Sequence, residues 1–500
     1  MKKYTLEIVV FVGGTIIMIL ELAGSRLLAP YLGSSTFVWT SIIGIVLGSL
    51  SLGYYWGGKI ADKKANYETL SKILLLASIL IGLITILETP VLRSISQNIQ
   101  DLRIGAVFAT LILLAPSSTL LGMISPYVAK LKIKDLDKSG TTIGSLYALS
   151  TVGSIIGTFL TGFFLLSFLG TIKIILVLSI TLFFTSLLTY YKYFSMKKLA
   201  AVMFFLLTIT GYSYVIAYAQ AQNDFIDIDT NYSRVWIFPW LHPEAEKMTL
   251  NLVTDPHLVQ SSMFLDESDK LVSEYAKYYT LDQYFYPDFE NVLMIGGGAY
   301  SYPKYFLKNY PEANIDVVEI DPEFTEIAKK YFKLTDNPRL TIYHEDGRTF
   351  LNRTLNKYDI IYNDAYKSMH SIPIQLTTKE AISKMYFALN ENGIVIANII
   401  SSIEGEKSKF LQAEYKTFNS IFPQVYIFPV KYPDDPLQTQ NIILVAMKSE
   451  KKPSFTNDND QLNKYLQNLW TRDINTDLPI LTDDFAPVDY YRMALFEIEK

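Results

Sequence analysis

The chain changes its hydrophobic pattern near position 220. Ahead of that point apolar residues run in long, almost unbroken stretches. Beyond it they fall into short alternating or clustered runs separated by turn residues. Seven stretches of the first part, roughly 6–28, 37–58, 70–89, 104–128, 143–169, 171–191 and 198–219, are apolar over spans suited to crossing a bilayer, for which a helix needs about 20 residues. The first is too long for a removable signal peptide and lacks the small-residue cleavage site. The pattern predicts an all-α transmembrane bundle of about seven helices over 1–220.

From 221 to about 285, runs such as Ser233-Arg-Val-Trp-Ile-Phe238 and Thr249-Leu-Asn-Leu-Val253 predict a small β-rich lead-in. Over 286–500 strands and helices then alternate. Strands are expected near 291–296, 314–320, 340–344, 358–363, 393–399, 424–429 and 441–447, and helices near 302–309, 322–332, 377–390 and 407–421. Such alternation predicts a Rossmann-like α/β domain of the class I methyltransferase kind. Its sheet is expected to be parallel and doubly wound, with the ligand crevice at the strand C-termini.

Charge divides the chain at the same place. Residues 1–220 carry 17 Lys/Arg against 8 Asp/Glu, a net of +9, and the remainder carries 27 against 41, a net of −14. The second half is too acidic to favour a nucleic-acid partner, which needs basic clusters. The absence of cysteine excludes disulfides, thiolate ligands and a Cys nucleophile. His242, His257, His344 and His370 show no metal-ligand spacing, so no metal site is expected.

Within the apolar half, Glu21 and Arg26 read as an ion pair or an interfacial position near the end of the first span, with a proton or ligand pathway as the functional alternative. Gly44/Gly48 and Gly153/Gly157 read as small-residue pairs that let helices pack closely. Thirteen lysines on the N-terminal side against four basic residues opposite place the N-terminus in the cytoplasm. Seven spans would then put the C-terminal half outside, away from any supply of adenosyl compounds. The expectation is a multi-pass cell-membrane protein whose catalytic half is cytoplasmic, with the last segment as the miscounted span.

The chemistry concentrates in Asn291-Val-Leu-Met-Ile-Gly-Gly-Gly-Ala-Tyr300 and Val317-Val-Glu-Ile-Asp321. An apolar strand breaks into Gly296, Gly297 and Gly298, a helix follows, and a second strand ends on Glu319. Glycines there let backbone approach a ligand, and Glu319 sits where such folds grip a ribose diol. Asp346 and Asp364 end the next two strands, suited to an adenine amino group and to the reacting centre. The turn reads Gly296-x-Gly298-x-x-Ser301, without the third glycine of a dinucleotide site, which disfavours NAD. An S-adenosyl sulfonium asks less of that turn, and the acidic balance suits a cation.

These residues resemble the spermidine synthase (aminopropyltransferase) family in its membrane-fused bacterial form. The likeness runs from about 249 to 430 and rests on Asp255-Pro-His-Leu-Val-Gln260-Ser-Ser, Gly296-Gly-Gly298, Val318-Glu-Ile-Asp321, Glu345-Asp-Gly347 and Asp364-Ala-Tyr366. Ser371-Ile-Pro-Ile-Gln-Leu-Thr-Thr378, Leu481-Thr-Asp-Asp-Phe-Ala-Pro487 and Glu21-Leu-Ala-Gly-Ser-Arg26 look like the fused versions. The resemblance implies S-adenosylmethionine, or its decarboxylated form, as substrate. Glu319 would bind the ribose, Asp346 and Gly347 the adenine, the glycine turn and Gln260 the methionine-derived part. Asp364 would be the general base that deprotonates an attacking amine, which displaces 5′-methylthioadenosine. Soluble relatives being dimers, a homodimer is also implied.

Three positions depart from that family. Ala299 stands where an aspartate grips the diamine, Lys367 where a second acid follows the base, and Ser273 where a tyrosine is expected, with Tyr275, Tyr278 and Tyr279 close by. A dication needs anionic anchors, because an unpaired buried ammonium costs several kcal/mol. Simple putrescine is therefore disfavoured as acceptor unless Asp483 or Asp484 folds into the pocket, and Tyr275, Tyr366 and Lys367 become candidate substrate contacts. Four readings stay open: an aminopropyltransferase-like enzyme with another acceptor, an S-adenosylmethionine lyase in which Lys367 pairs a substrate carboxylate, a non-catalytic membrane nucleoside sensor, and a methyltransferase.

Overall fold

A computed structural model describes residues 4–496 apart from 100, 134, 223, 257 and 366–371. The chain divides into two compact units, Met1–Arg234 and Val235–Lys500.

The first unit is helical. Its apolar stretches form α1 (Thr5–Leu32), α2 (Thr36–Lys63), α3 (Tyr67–Asn98), α4 (Leu102–Leu113), α5 (Ala115–Lys132) and α6 (Ser139–Leu160), followed by Thr171–Thr189 and Met196–Gln222. Among the described residues five helices are long and apolar enough to cross a membrane, or up to six if the α4/α5 pair, bent by 56°, makes one span. Among the described residues, five or six of the seven expected spans therefore meet this test. The segment 104–128 is broken at Leu114, and several side chains of the last helix lie outside the described residues.

One expected glycine contact fails. A Cβ on Gly44 or Gly48 would meet nothing within 4 Å, so this pair faces outward instead of packing α2. The close approach of α2 to α5 runs through Gly57, whose Cβ would sit 2.6 Å from Met123 Cα. Gly157 behaves as expected, its Cβ falling 2.5 Å from the Thr15 carbonyl oxygen of α1. Arg26 pairs not with Glu21 but with Asp229, at 3.5 Å, and donates to the Thr230 and Asn231 carbonyls.

After β1 (Ile226–Asp229), the second unit opens with β2 (Arg234–His242), β3 (Lys247–Asp255) and β4 (Leu258–Phe264), the last three paired antiparallel in sequence order. A seven-stranded sheet follows, built from β5 (Asn291–Ile295), β6 (Asn314–Val318), β7 (Leu340–Tyr343), β8 (Tyr358–Asn363), β9 (Leu389–Ser401), β10 (Gln424–Pro429) and β11 (Gln440–Met447). Their order is β10-β11-β9-β8-β5-β6-β7. β5 to β9 run parallel. β11 is antiparallel to both its neighbours, so the sheet is mixed and not wholly parallel as expected. β10 reaches β11 through the short segment 430–439, which can only reverse the chain.

Alternate residues of the central strands enter two apolar cores, Leu293, Ile295 and Ile361 on one face and Val292, Met294, Ile360 and Tyr362 on the other. Strand order reverses between β5 and β8, which opens a crevice beyond their C-terminal ends. A helix over Gly347–Arg353, capped by Asp346, was not foreseen.

Candidate active site

The crevice is framed by backbone ties between neighbouring strand ends. The Gly296 N–H donates to the Val318 carbonyl at 2.9 Å, and the Asp364 N–H donates to the Ile295 carbonyl at 3.0 Å. Gly296 has φ +99°, in the region that favours glycine, and its Cβ would lie 2.9 Å from the Asp364 carbonyl carbon. Gly298, at φ +51°, would place a Cβ 2.7 Å from Ser261 Oγ. Only glycine fits at 296, and glycine is favoured at 298. Ser261 also accepts from the Ala299 N–H at 3.1 Å, and Ser262 offers its carbonyl to Ser301 Oγ at 2.9 Å. β4 thereby holds the turn from outside, and Gln260 is half-buried on the same strand.

Glu319 is buried directly behind the turn. Its Oε2 accepts from the Gly297 and Gly298 N–H groups at 2.9 and 3.1 Å, and its Oε1 from the Asp321 N–H at 3.0 Å. Burial pushes its carboxyl above the usual range, while these three amide bonds oppose the shift. A carboxylate has roughly four lone-pair sites. Three are filled, so one further hydroxyl fits without disturbing the turn, and a second would displace a turn amide.

Asp346 follows β7 and caps the Gly347–Arg353 helix, accepting from the Thr349 N–H at 2.9 Å while Gln375 Nε2 donates to its other oxygen at 3.2 Å. Gly347 is packed, since its Cβ would sit 2.7 Å from Ile295 Cγ2. Asp483, considered above as an anchor for the acceptor, is tied instead to Arg348 at 2.7 Å and to the Thr378 hydroxyl at 2.6 Å.

Asp364 is half-buried at the end of β8. Asn398 Nδ2 donates to its Oδ1 at 3.0 Å, and Asn441 Nδ2 donates in turn to Asn398 Oδ1 at 3.0 Å. Desolvation lifts the Asp364 carboxyl to about 6, against hydrogen bonds from Asn398, Tyr279 and Tyr275. The structure thus brings Tyr275 to Asp364 and gathers Glu319, Gly296, Gly297 and Gly298 beside it. Tyr366 and Lys367 lie outside the described residues. Sequence reasoning missed Asn398 and did not assign Tyr279. A polar Asn in the buried run Ile394-Val-Ile-Ala-Asn398 was the available signal. Among the described residues no group of three or more His, Asp or Glu is placed to hold a metal ion.

This frame agrees with what the chain resembles. Residues 280–458 match the family model of the spermine/spermidine synthase domain. The polyamine aminopropyltransferase of Vibrio vulnificus is 30% identical over 193 residues, which cover 38% of this chain and 61% of that protein. The polyamine aminopropyltransferase of Lachnospira eligens is 28% identical over 222 residues, covering 43% and 73%. The chain therefore spans about 61% of the length of the first curated relatives that it matches. A crystal structure of a spermidine synthase in complex with the transition state analogue AdoDATO is 20% identical, with a TM-score of 0.38, covering 54% of this chain and 84% of that one. The C-terminal region thus carries a spermine/spermidine synthase domain.

Proposed function

We propose that the C-terminal unit is an aminopropyltransferase-like enzyme that acts on S-adenosylmethionine or its decarboxylated form and releases 5′-methylthioadenosine. The observation that carries this reading is Asp364 at the switch point of the sheet, its carboxyl raised to about 6 and hydrogen-bonded by Asn398 beside the glycine turn. A base so tuned accepts a proton from an amine near neutral pH and remains ionised enough to do so. The glycine turn leaves room for the methionine-derived part, Glu319 accepts from the ribose, and Asp346 with Gly347 borders the adenine. Gln260 stands beside the turn on β4. The leaving thioether is neutral, so orientation and removal of the amine proton are the main demands on the protein.

The acceptor in this reading is not simple putrescine. Ala299 offers no charge at the position that resembles the family's diamine anchor, and Asp483 is neutralised by Arg348. Tyr275, half-buried beside Asp364, presents a hydroxyl and a ring face, which suit a less highly charged amine.

The helical half is read as a membrane domain on its five, or up to six, apolar helices. We place the catalytic half on the cytoplasmic side, with the N-terminus. The α4/α5 pair runs from Leu32 at one end of α1 to the Lys132–Glu7 ion pair at the other and counts as one crossing, so this placement requires that the last helix does not span.

The deciding experiment incubates purified full chain with S-adenosylmethionine or its decarboxylated form, with and without amines, and analyses products. Amine-dependent methylthioadenosine supports transfer. Methylthioadenosine without amine identifies a lyase, S-adenosylhomocysteine a methyltransferase, and tight binding without turnover a sensor. Any of these last three overturns the proposal.

A further inference from the structure

Beside the candidate base lies a second carboxyl that the proposed chemistry does not use. Asp282, at the start of the short helix Asp282–Phe285, has no exposure to solvent. Its Oδ2 accepts from the Tyr362 hydroxyl at 2.6 Å and lies 3.0 Å from the Tyr302 hydroxyl, which is also 3.0 Å from that of Tyr362. Its Oδ1 accepts from the Tyr310 hydroxyl at 3.1 Å and from the Gln283 N–H at 2.5 Å. No such cluster is needed to close the core. Phenylalanines would fill the same space without a buried charge, which is costly to keep.

The cluster is connected to Asp364 by one ring. Tyr279, fully buried, stands edge-on to Tyr302 with centroids 5.0 Å apart and tilted against Tyr362 at 5.4 Å. Its hydroxyl, like that of Tyr275, faces Asp364 closely enough to favour the ionised carboxyl. Asp364 directly follows β8, two residues beyond Tyr362, and its N–H extends the ladder to the Ile295 carbonyl, so the two side chains leave on one face. A layer of tyrosines therefore separates two carboxyls, one sealed and one at the crevice.

We propose that Asp282 is a positioning residue for Asp364: by drawing the Tyr302 and Tyr362 hydroxyls inward it fixes the ring of Tyr279, and with it the hydroxyl that Tyr279 turns toward the base. The catalytic consequence rests on the function proposed above, but the positioning itself does not. An ionised carboxylate only accepts hydrogen bonds, so any hydroxyl bonded to Asp282 must donate to it. An amide there offers two donors, and at least one tyrosine hydroxyl must turn away. The titratable groups facing Asp282 are Tyr302, Tyr305 and Tyr310, from the helix Ser301–Asn309 and its end, and Tyr362 from β8. Those facing Asp364 are Tyr275 and Tyr279, with the Asn398 amide from β9. A loosened Tyr279 stabilises ionised Asp364 less, and the carboxyl then holds its proton to higher pH.

The test uses full chain and two measurements. Infrared titration follows the Asp364 carboxyl, assigned by the band that Asp364→Asn removes, and methylthioadenosine release is followed from about pH 5 to 9. Asp282→Asn and Tyr279→Phe should each move the Asp364 midpoint upward by about one pH unit, a tenfold change in its proton equilibrium. The acid limb of turnover should move with it while KM for the sulfonium nucleoside stays constant, and the double variant should add little, because both changes act on one contact. A merely structural Asp282 would lower activity with the midpoint unmoved, and that result in a folded, nucleoside-binding Asp282→Asn overturns the inference. If Asp282→Asn does not fold, Tyr302→Phe removes one orienting contact and is held to the same criterion. If the wild type releases no methylthioadenosine with any amine, the functional reading fails, and the infrared midpoint still decides the positioning role.

Discussion

A Cβ on Gly296 would overlap the backbone carbonyl of Asp364, so the glycine turn and the strand end that carries the candidate base are in direct contact. The two candidate functions cannot be altered independently at this point. Gly296→Ala places a side chain at φ +99°, a backbone cost of about 1–3 kcal/mol, and pushes the end of β8 away. Thermal melting of the full chain should show a lower Tm, and nucleoside binding and turnover should both be lost.

Asp364→Asn keeps shape and removes the base. Amine-dependent release should fall by about 10²- to 10⁴-fold, with calorimetric affinity for the nucleoside retained. Undiminished release in this variant would remove Asp364 from the chemistry.

The pH dependence follows from the sign of the shift. Asp364 must be ionised to act, and its carboxyl is raised to about 6, so turnover should fall as pH drops through about 6. For stability the same shift works the other way. The folded chain binds this proton more readily than the unfolded chain, whose ordinary value is 3.8. The contribution of this group is therefore full below that value and is lost as pH rises through about 6. Initial rates and denaturant midpoints on one pH series check both statements.

Glu319→Ala should weaken adenosyl-ligand binding and loosen the turn, because the Gly297 and Gly298 N–H groups lose their acceptor. Each buried donor left unpaired costs about 1–3 kcal/mol. Glu319→Gln keeps one acceptor oxygen and should lie between Ala and wild type by calorimetry.

In the helical unit, Gly157 and Gly48 should behave oppositely. Gly157→Val drives a side chain into the Thr15 backbone, whereas Gly48→Val enters open space. The first should lower the melting temperature in detergent markedly. The second should stay within about 0.5 kcal/mol of wild type.

A reporter fused after residue 500 tests sidedness, and activity only for a periplasmic reporter would refute the cytoplasmic placement.

Much of the crevice was legible in the chain. Strand periodicity located β5 to β8, and the acids that follow β6, β7 and β8 marked its rim, because alternation and turn chemistry are local properties. Gly296, Gly298 and Glu319 could be named for the same reason: a positive φ and a carboxylate after a strand are read within a few residues. The Gly347–Arg353 helix was not legible, since seven residues are too few for a clear period. The orientation of β11 was hidden as well, because an apolar strand reads alike in either direction.

The sequence by itself determined the two-part composition, the strand–helix alternation and the acids that line the strand ends, because each depends on neighbours along the chain. Only the tertiary structure decided which glycines pack helices, which carboxyl Tyr275 and Tyr279 serve, and that Asp282 lies sealed among Tyr302, Tyr310 and Tyr362. Those contacts join residues up to 142 positions apart, as Thr15 and Gly157 are. Burial and desolvation, which set the strength of such contacts, come into being only when distant segments close over one another.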